Sequence, residues 1–356
     1  MTLEDLGYRN EYDKFISYNG LTEFEKGRVT VEHKERYIVT SVKGEVEAEI
    51  TGNMRFTARG REDFPAVGDW VLMSVYDSDF AIIHKILPRF SIIKRQAPGQ
   101  YGEVQIIGTN IDYAFIVQSA DRDFNINRIE RYLTICNSSG VRPVILISKT
   151  DLADEARRTE IRESIKTRIE NVPFIEISNE TKEGYEELKK TIKKGMTYCM
   201  LGSSGVGKST LLNNLSGRTL MRTESISMST GKGRHVTSHR ELFILENGGI
   251  LIDNPGMREV GIADSAEGLE STFDKIYELS DKCKFSDCTH TSETGCAVIE
   301  AVENGVIDKA SYANYLKMRR EKEYFESTVA ERRRKDKIFG KIIKDYLKKD
   351  VKQKGR

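Results

Sequence analysis

Residues 202–210, GSSGVGKST, have the residue types and spacing of a loop that binds phosphate. Glycines let such a loop turn tightly and bring backbone N–H groups onto phosphate oxygens, at the positive end of the following helix. Lys208 would reach the β- and γ-phosphates, and the Ser209 hydroxyl would bind Mg²⁺. A strand-to-helix turn without a ligand is the alternative. The predicted nucleotide contacts here are Gly202, Ser203, Ser204, Gly205, Val206, Gly207, Lys208, Ser209 and Thr210.

Residues 148–151, SKTD, follow the apolar run 143–147 and resemble the guanine-reading NKxD motif of GTPases. The Asp151 carboxylate could accept hydrogen bonds from guanine N1–H and from the exocyclic amine. Adenine offers neither donor there, a mismatch worth a factor of about 10⁴ or more. An exposed helix start would also explain the tetrapeptide. The predicted base-site residues are Ser148, Lys149, Thr150 and Asp151, with Ser178 and Asn179, whose backbone N–H would meet the guanine carbonyl oxygen.

The polar stretch 223–240 has the composition of a mobile switch loop. Within it, Thr237 is the predicted Mg²⁺-binding hydroxyl, and Ser238 is the alternative. The segment DNPG that follows matches the DxxG motif, so Asp253 would support Mg²⁺ and the Gly256 N–H would sense the γ-phosphate.

Met257 stands where many GTPases carry the glutamine that orients the attacking water, and a thioether cannot do that. We therefore predict slow intrinsic hydrolysis, with the water positioned by His235 or by a partner. An exposed loop histidine without a catalytic role is the alternative for His235. The predicted catalytic groups are Lys208, Thr237, Gly256 and His235.

Four potential metal ligands, spaced C-x4-C-x-H-x5-C, follow these motifs: Cys283, Cys288, His290 and Cys296. Three thiolates and one imidazole make a closed tetrahedral Zn²⁺ site with no position left for a catalytic water, so we predict one structural zinc ion. The other two cysteines, Cys136 and Cys199, lie in apolar segments and are predicted core residues.

These motifs require a sheet to position them. Apolar strands at 112–117, 143–147 and 172–177 alternate with helical patterns at 127–138 and 184–192, which predicts a parallel sheet covered on both faces. A hairpin is predicted at 241–252. Because SKTD precedes the phosphate loop, the motif order is circularly permuted relative to an ordinary GTPase, which is tolerable where domain termini lie close together.

Five short strands between residues 27 and 87 predict a small β-barrel of the oligonucleotide-binding (OB) type. Such a barrel binds RNA through exposed aromatic and basic residues, although barrels also serve as inert spacers. Trp70 is predicted to be core. Residues 1–23 have no clear pattern. The candidate RNA contacts are Arg36, Tyr37, Arg55, Phe56, Arg59 and Arg61.

The 356 residues carry a net charge of only +1, so no global field indicates a partner. Residues 331–356, however, contain twelve Lys/Arg and four Asp/Glu. This basic tail suits nucleic acid or an acidic surface, or is a solvated helix. A charged N-terminus, the lack of a long apolar segment and clustered cysteines predict a soluble cytoplasmic protein without a membrane span.

The predicted architecture is multidomain α/β. It comprises an N-terminal extension (1–23), an OB-fold barrel (24–95), a circularly permuted P-loop GTPase domain (96–262), an α-helical zinc-binding domain (263–326) and a basic tail (327–356).

Taken together, these features resemble the ribosome small-subunit-dependent GTPase A family of circularly permuted GTPases. The resemblance covers about residues 25–325 and rests on PAVGDWV, SKTD, GSSGVGKST, GKGRHVTSHREL, DNPGMREVG and CKFSDCTHTSETGCAV. Ser148, Val236 in a run that is usually threonine-rich, and the two terminal extensions depart from the family pattern.

The resemblance implies a monomer that binds GTP/GDP, the small (30S) ribosomal subunit and its rRNA. It would act in late subunit assembly and hydrolyse GTP under stimulation by the subunit, with Zn²⁺ and Mg²⁺ as ions. One rival hypothesis is an RNA-binding assembly scaffold that uses GTP only as a structural ligand. Another is a P-loop ATPase or small-molecule kinase, against which Asp151 argues.

Overall fold

The computed structural model describes residues 1–33, 36–77, 79–96, 104–217, 240–253 and 266–326, together with 331 and 334. The strands are β1 (Glu25–His33), β2 (Arg36–Ser41), β3 (Gly44–Ile50), β4 (Trp70–Asp77), β5 (Phe80–Ile86), β6 (Ile92–Gln96), β7 (Val104–Thr109), β8 (Tyr113–Ser119), β9 (Arg142–Ser148), β10 (Phe174–Glu176), β11 (Thr197–Leu201), β12 (Glu241–Ile244) and β13 (Ile250–Asp253). The helices are α1 (Glu11–Tyr18), α2 (Gly52–Thr57), α3 (Ile126–Ser138), α4 (Glu155–Arg168), α5 (Tyr185–Thr191), α6 (Lys208–Ser216), α7 (Ala266–Thr272), α8 (Asp274–Ser280) and α9 (Ala297–Glu303), followed by α10 (309–326).

Strands β1 to β5 form a closed barrel, as predicted. The order is β1-β2-β3-β5-β4, and β4 pairs back onto β1. Inward-facing side chains such as Val29, Val39 and Ile83 fill the barrel. Tyr37 also belongs to this core and is 2% exposed, so its prediction as an RNA contact was wrong. The alternation of β2 points it inward, opposite to its neighbour Arg36.

A second group of strands, in the order β10-β9-β8-β11-β13, is parallel throughout. Helices α3 and α4 pack on one face of these strands, and α5 and α6 pack on the other. Crossover helices on both faces explain why β8, β9 and β11 are nearly all apolar. Cys136 and Cys199 are fully buried in this core.

The two groups join into one sheet of eleven strands. Strand β12 pairs with β13 on one side and with barrel strand β1 on the other, where Val31 faces Glu241. At the far end, β10 carries Glu176, which binds Arg158 and Arg162 of α4.

Residues 1–23, for which the sequence indicated no role, pack against the barrel. Leu6, Tyr12 and Ile16 are buried around Trp70, which is 1% exposed. Arg9 forms an ion pair with Asp112 at the start of the parallel sheet. The N-terminal segment therefore contacts the barrel and the parallel sheet at once.

The link between barrel and parallel sheet is itself structured. Strands β6 and β7 form an antiparallel hairpin, with Ile92 opposite Thr109. Ile93 of β6 and Ile106 of β7 are buried, so this hairpin is part of the packed structure.

The C-terminal region consists of α7 to α10 around the cysteine and histidine residues. Helices α9 and α10 are separate because the chain leaves the helix after Glu303, and Gly305 adopts a left-handed φ of 71°. Helix α3 joins this region to the parallel sheet, since Glu130 accepts hydrogen bonds from Ser311 and Asn314. None of the helices within the described ranges combines the length and apolarity needed to cross a bilayer.

Candidate functional site

The sequence-predicted loops meet at one edge of the parallel sheet. Strand β9 ends at Ser148, β11 ends at Leu201 before the glycine loop, and β13 ends at Asp253. Because these strands are parallel neighbours of one another or of β8, their carboxyl ends open into a common crevice, the usual ligand position in such sheets.

The glycine loop has the backbone of a phosphate cradle. Gly205 and Gly207 have φ values of 84° and 94°, in the left-handed region. A Cβ on Gly207 would lie 2.6 Å from the side-chain nitrogen of Asn179, so the position excludes other residues. Ser204 and Gly205 are exposed at the tip, whereas Ser209 and Thr210 lie half-buried in the first turn of α6.

The Lys208 ammonium folds back over the loop and donates to the carbonyl oxygens of Gly202, at 2.7 Å, and Ser203, at 2.5 Å. Burial lowers the pKa of Lys208 to about 8, although the nearby Asp253 carboxylate opposes the shift. The negative charge of a phosphate bound in this loop would compensate for the water that the buried ammonium lacks.

Ser148 ties the SKTD loop to the phosphate loop. Its hydroxyl lies 2.6 Å from the Val206 carbonyl oxygen, to which it donates, and 3.2 Å from that of Gln118. Ser148 is 1% exposed, so this bond is made in a dry environment. Ser148, although it departs from the usual Asn, therefore joins the two loops by a hydrogen bond.

Asp151 is oriented by Ser178, whose hydroxyl donates to Asp151 Oδ1 at 2.5 Å. The same Ser178 oxygen accepts the backbone N–H groups of Glu180 and Thr181. Thr150 is buried and donates to Glu183. The second oxygen of Asp151 is thus available to face a base, as guanine recognition requires.

Two contacts at this edge were missed in the sequence. The Lys149 ammonium lies 3.0 Å from Asp121, which follows β8. The pKa of the Asp121 carboxyl is lowered: burial alone would raise it, but the hydrogen bonds from Asp123 N–H and from Lys149 outweigh burial. Arg128 of α3 donates to the Ser203 hydroxyl at 3.0 Å. Asp121 follows the carboxyl end of a predicted strand, a position that could have identified it.

The predicted switch residues Thr237, Ser238, His235, Gly256 and Met257 lie outside the described residues. Asp253 is described and is 6% exposed.

The ligand atoms of Cys283, Cys288, His290 and Cys296 all lie within 4.8 Å of one another. The sulfurs of Cys283 and Cys296 are 3.8 Å apart, and His290 Nδ1 lies 3.6 Å and 3.4 Å from them. Tetrahedral zinc, with Zn–S near 2.3 Å and Zn–N near 2.0–2.1 Å, requires edges of about 3.8 Å and about 3.6 Å. The four side chains therefore form a metal-binding cluster of the zinc type.

The other ring nitrogen of His290 supports this arrangement. Nε2 lies 3.0 Å from the Ser280 hydroxyl, which itself donates to the Ile276 carbonyl oxygen. The Ser280 oxygen must therefore accept a hydrogen bond from Nε2–H, which leaves Nδ1 deprotonated and free to bind a metal ion.

A sequence model described as RsgA GTPase matches residues 86–263. The small ribosomal subunit biogenesis GTPase RsgA 1 of Bacteroides thetaiotaomicron is 40% identical over 324 residues, covering 91% of this chain and 90% of that protein. The protein of the same name from Oceanobacillus iheyensis is 39% identical and covers 99% of both chains.

Two solved structures are similar over most of the chain. The crystal structure of YjeQ from Thermotoga maritima has a TM-score of 0.61 and 27% identity, covering 85% of this chain and 98% of that one. The structure of YloQ, a circularly permuted GTPase, has a TM-score of 0.59 and 25% identity, covering 87% and 96%.

Proposed function

The chain belongs to the RsgA GTPase family, and on that basis we propose that it binds the small ribosomal subunit and hydrolyses GTP to GDP and phosphate during late assembly of the subunit. The observation that carries the proposal is the meeting of the SKTD loop, the glycine loop and Asp253 at one sheet edge, in a chain whose relatives are named for this function. The cytoplasm is the compartment that this function requires.

Guanine selectivity rests on Asp151. Its carboxylate, oriented by Ser178, accepts from N1–H and the exocyclic amine of guanine, while the Lys149 stem packs on the base plane. Lys208 and the backbone N–H groups of the glycine loop bind the phosphates.

Oxygen ligands suited to Mg²⁺ adjoin this cradle: the Ser209 hydroxyl at the start of α6 and the buried Asp253 carboxylate. With Thr237, these residues would hold the ion, which neutralises charge on the β- and γ-phosphates. The Gly256 N–H would sense the γ-phosphate. We assign the positioning of the water to His235 or to a group that the ribosomal subunit supplies.

Cys283, Cys288, His290 and Cys296 would hold Zn²⁺ in a closed site that stabilises the C-terminal region and does no chemistry. We propose that this region (263–326) and the barrel (24–95) contact the subunit, with the GTPase domain (96–262) between them. The extension (1–23) braces the barrel, and the basic tail (327–356) lies beyond.

Within the barrel, α2 is the part best suited to rRNA. It has no buried residue, and Phe56 is 90% exposed on it. An exposed ring beside Arg59 can stack on an unpaired base, which is how such barrels bind single strands.

The test is GTP hydrolysis by the purified protein alone, with isolated small ribosomal subunits and with large subunits. We expect strong stimulation by small subunits only, and loss of activity in Lys208→Ala. Tight GTP and subunit binding without stimulation would contradict the hydrolase and favour the scaffold. Equal stimulation by both subunits would contradict the proposal that the small subunit is the specific partner.

A further inference from the structure

We infer that the side chains of Asn179, Tyr185 and Asn214 form a polar lock that joins the base-reading loop to the phosphate loop and positions both for a guanine nucleotide, an inference that rests on the proposed function. The lock is made by side chains, whereas the nucleotide contact predicted for Asn179 is made by its backbone N–H. It extends the function by connecting recognition of the base to the shape of the phosphate cradle.

The lock centres on the Asn179 side chain, which is 8% exposed. Its Nδ2 donates to the Gly207 carbonyl oxygen at 3.1 Å, and its Oδ1 accepts from the Tyr185 hydroxyl at 2.7 Å. A carbonyl oxygen can only accept, so the amide must face Gly207 with its nitrogen. Its oxygen must therefore face the hydroxyl.

Asn214 of α6 completes the lock. Its Nδ2 donates to the Tyr185 oxygen at 2.8 Å and to the Asn179 carbonyl oxygen at 3.2 Å. Tyr185 thus accepts one bond and donates one, and the two hydrogens of Asn214 are both used. A largely buried network with these bonds formed favours a single geometry.

One end of the lock reaches the phosphates. Gly207 is the N-cap residue of α6, and its carbonyl oxygen also accepts the first helical bond, from Leu211. Holding this carbonyl fixes the peptide on which the phosphate-binding helix begins. The Ser148 hydroxyl holds the preceding carbonyl, that of Val206, from the other base-site loop.

The other end reaches the base. Asn179 follows Ser178, which orients Asp151, and the Asn179 backbone carbonyl is held by Asn214 and by the Lys182 ammonium. The Asn179 N–H shares its peptide plane with the Ser178 carbonyl, whose oxygen accepts the Lys182 N–H at 3.0 Å. With the side chain and the carbonyls on both sides held, this N–H keeps one direction. The Asn179 N–H is the group that would meet the guanine carbonyl oxygen. The lock therefore orders this loop before the nucleotide binds, which reduces the entropy lost on binding.

The lock is present both before and after the γ-phosphate of GTP is hydrolysed. Its loss should therefore lower the affinities for GDP and for GTP equally. Uniform weakening raises KM and leaves kcat unchanged. A role confined to folding would instead lower the stability of the nucleotide-free protein and leave affinity intact.

The experiment measures the Kd of GDP and of GTP by calorimetry for four single variants of the full chain. Asn179→Asp keeps the volume and the acceptor for Tyr185 but removes the donor to Gly207, and Asn179→Ala removes both. We expect Asn179→Asp to weaken the binding of both nucleotides about tenfold, the worth of one buried hydrogen bond, and Asn179→Ala to weaken it at least as much. Tyr185→Phe should weaken them about threefold to fivefold.

Tyr198→Phe is the matched control, because it removes a tyrosine hydroxyl from the same apolar cluster, away from the two loops. We expect wild-type affinity from it. Combining Tyr185→Phe with Asn179→Ala should cost less affinity than the sum of the two single losses, since both variants remove the bond between Tyr185 and Asn179.

Wild-type affinity in Asn179→Asp, or additive losses in the double variant, would overturn the lock. Failure of the wild-type protein to bind GDP would instead overturn the proposed function, and the lock with it.

Discussion

Arg28 lies in a barrel strand, yet its guanidinium donates to the Thr197 hydroxyl, 2.9 Å away, at the start of the central strand β11. It also donates to the carbonyl oxygens of Leu6 at 2.6 Å, Gly68 at 3.2 Å and Asn110 at 3.3 Å. Burial lowers the pKa of Arg28 to about 10. One buried cation therefore joins the N-terminal segment, the barrel and the parallel sheet through neutral acceptors.

Arg28→Met should lower the free energy of unfolding by about 2–4 kcal/mol, because buried acceptors lose their donor. Urea denaturation of the full chain measures it. Thr197→Val removes only one acceptor and should cost about 1 kcal/mol. Wild-type stability of Arg28→Met would mean that removing a desolvated charge compensates for the lost bonds.

Asp151→Asn should weaken GDP binding about 100-fold or more, because the new amide donor faces a donor of guanine. Xanthosine diphosphate, which carries a carbonyl oxygen in place of the exocyclic amine, should gain affinity. Competition binding with the two nucleotides measures both effects. Unchanged preference for GDP would show that Asp151 does not face the base.

Lys208 should make nucleotide binding depend on pH. Its pKa is about 8 in the free protein, and phosphates will raise it, so binding takes up a proton above pH 8. Affinity is then fully present below pH 8 and falls by up to about tenfold per pH unit above it. Calorimetry of GDP binding at pH 8.5, in buffers of different ionisation enthalpy, should detect proton uptake. No uptake would mean that the free lysine is already fully charged.

Glu130→Ala should loosen the C-terminal region. Glu130 is 1% exposed and accepts from Arg168 at 2.7 Å and from Asn314 at 2.6 Å. Its removal leaves the buried Arg168 guanidinium, among the described ion pairs, only the exposed Asp308 at 3.6 Å, at a cost of about 3–5 kcal/mol. Thermal unfolding measures the loss.

The control for this variant is Glu321→Gln. Glu321 pairs with Arg131 between the same two helices, α10 and α3, but its side chain is 35% exposed. We expect a loss of about 1 kcal/mol or less. Equal effects of the two variants would contradict the distinction between a buried and a half-exposed ion pair.

Local motifs were predictable because the residues that define each of them lie close together in the sequence. The glycine loop, the SKTD loop and the cysteine cluster needed only spacing and flanking strands. The hydrogen bond that Ser148 donates was not predictable, because its acceptor, the Val206 carbonyl oxygen, is 58 residues away. The role of the Asn179 side chain was not predictable for the same reason, because its partner Gly207 is 28 residues away.

Two further elements were missed because their stabilising contacts are distant or sparse. Helix α4 buries only Ile161 and Ile165 and is otherwise largely charged, so its sequence lacks a clear apolar stripe. Residues 1–23 are ordered by Trp70, far along the chain. Tyr37 was placed wrongly because a strand's inward face cannot be known until its register is fixed.

The joining of the closed barrel to the parallel strands also leaves few strand edges to which another molecule could add a strand. An open sheet normally exposes two edges of unpaired backbone groups. Here β4 returns to β1, so among the described strands of the large sheet only β10 pairs with a single neighbour, although β12 meets β1 through one residue pair, Val31 with Glu241. That strand has three residues and ends at Glu176, held by two arginines, which makes it a poor template for aggregation.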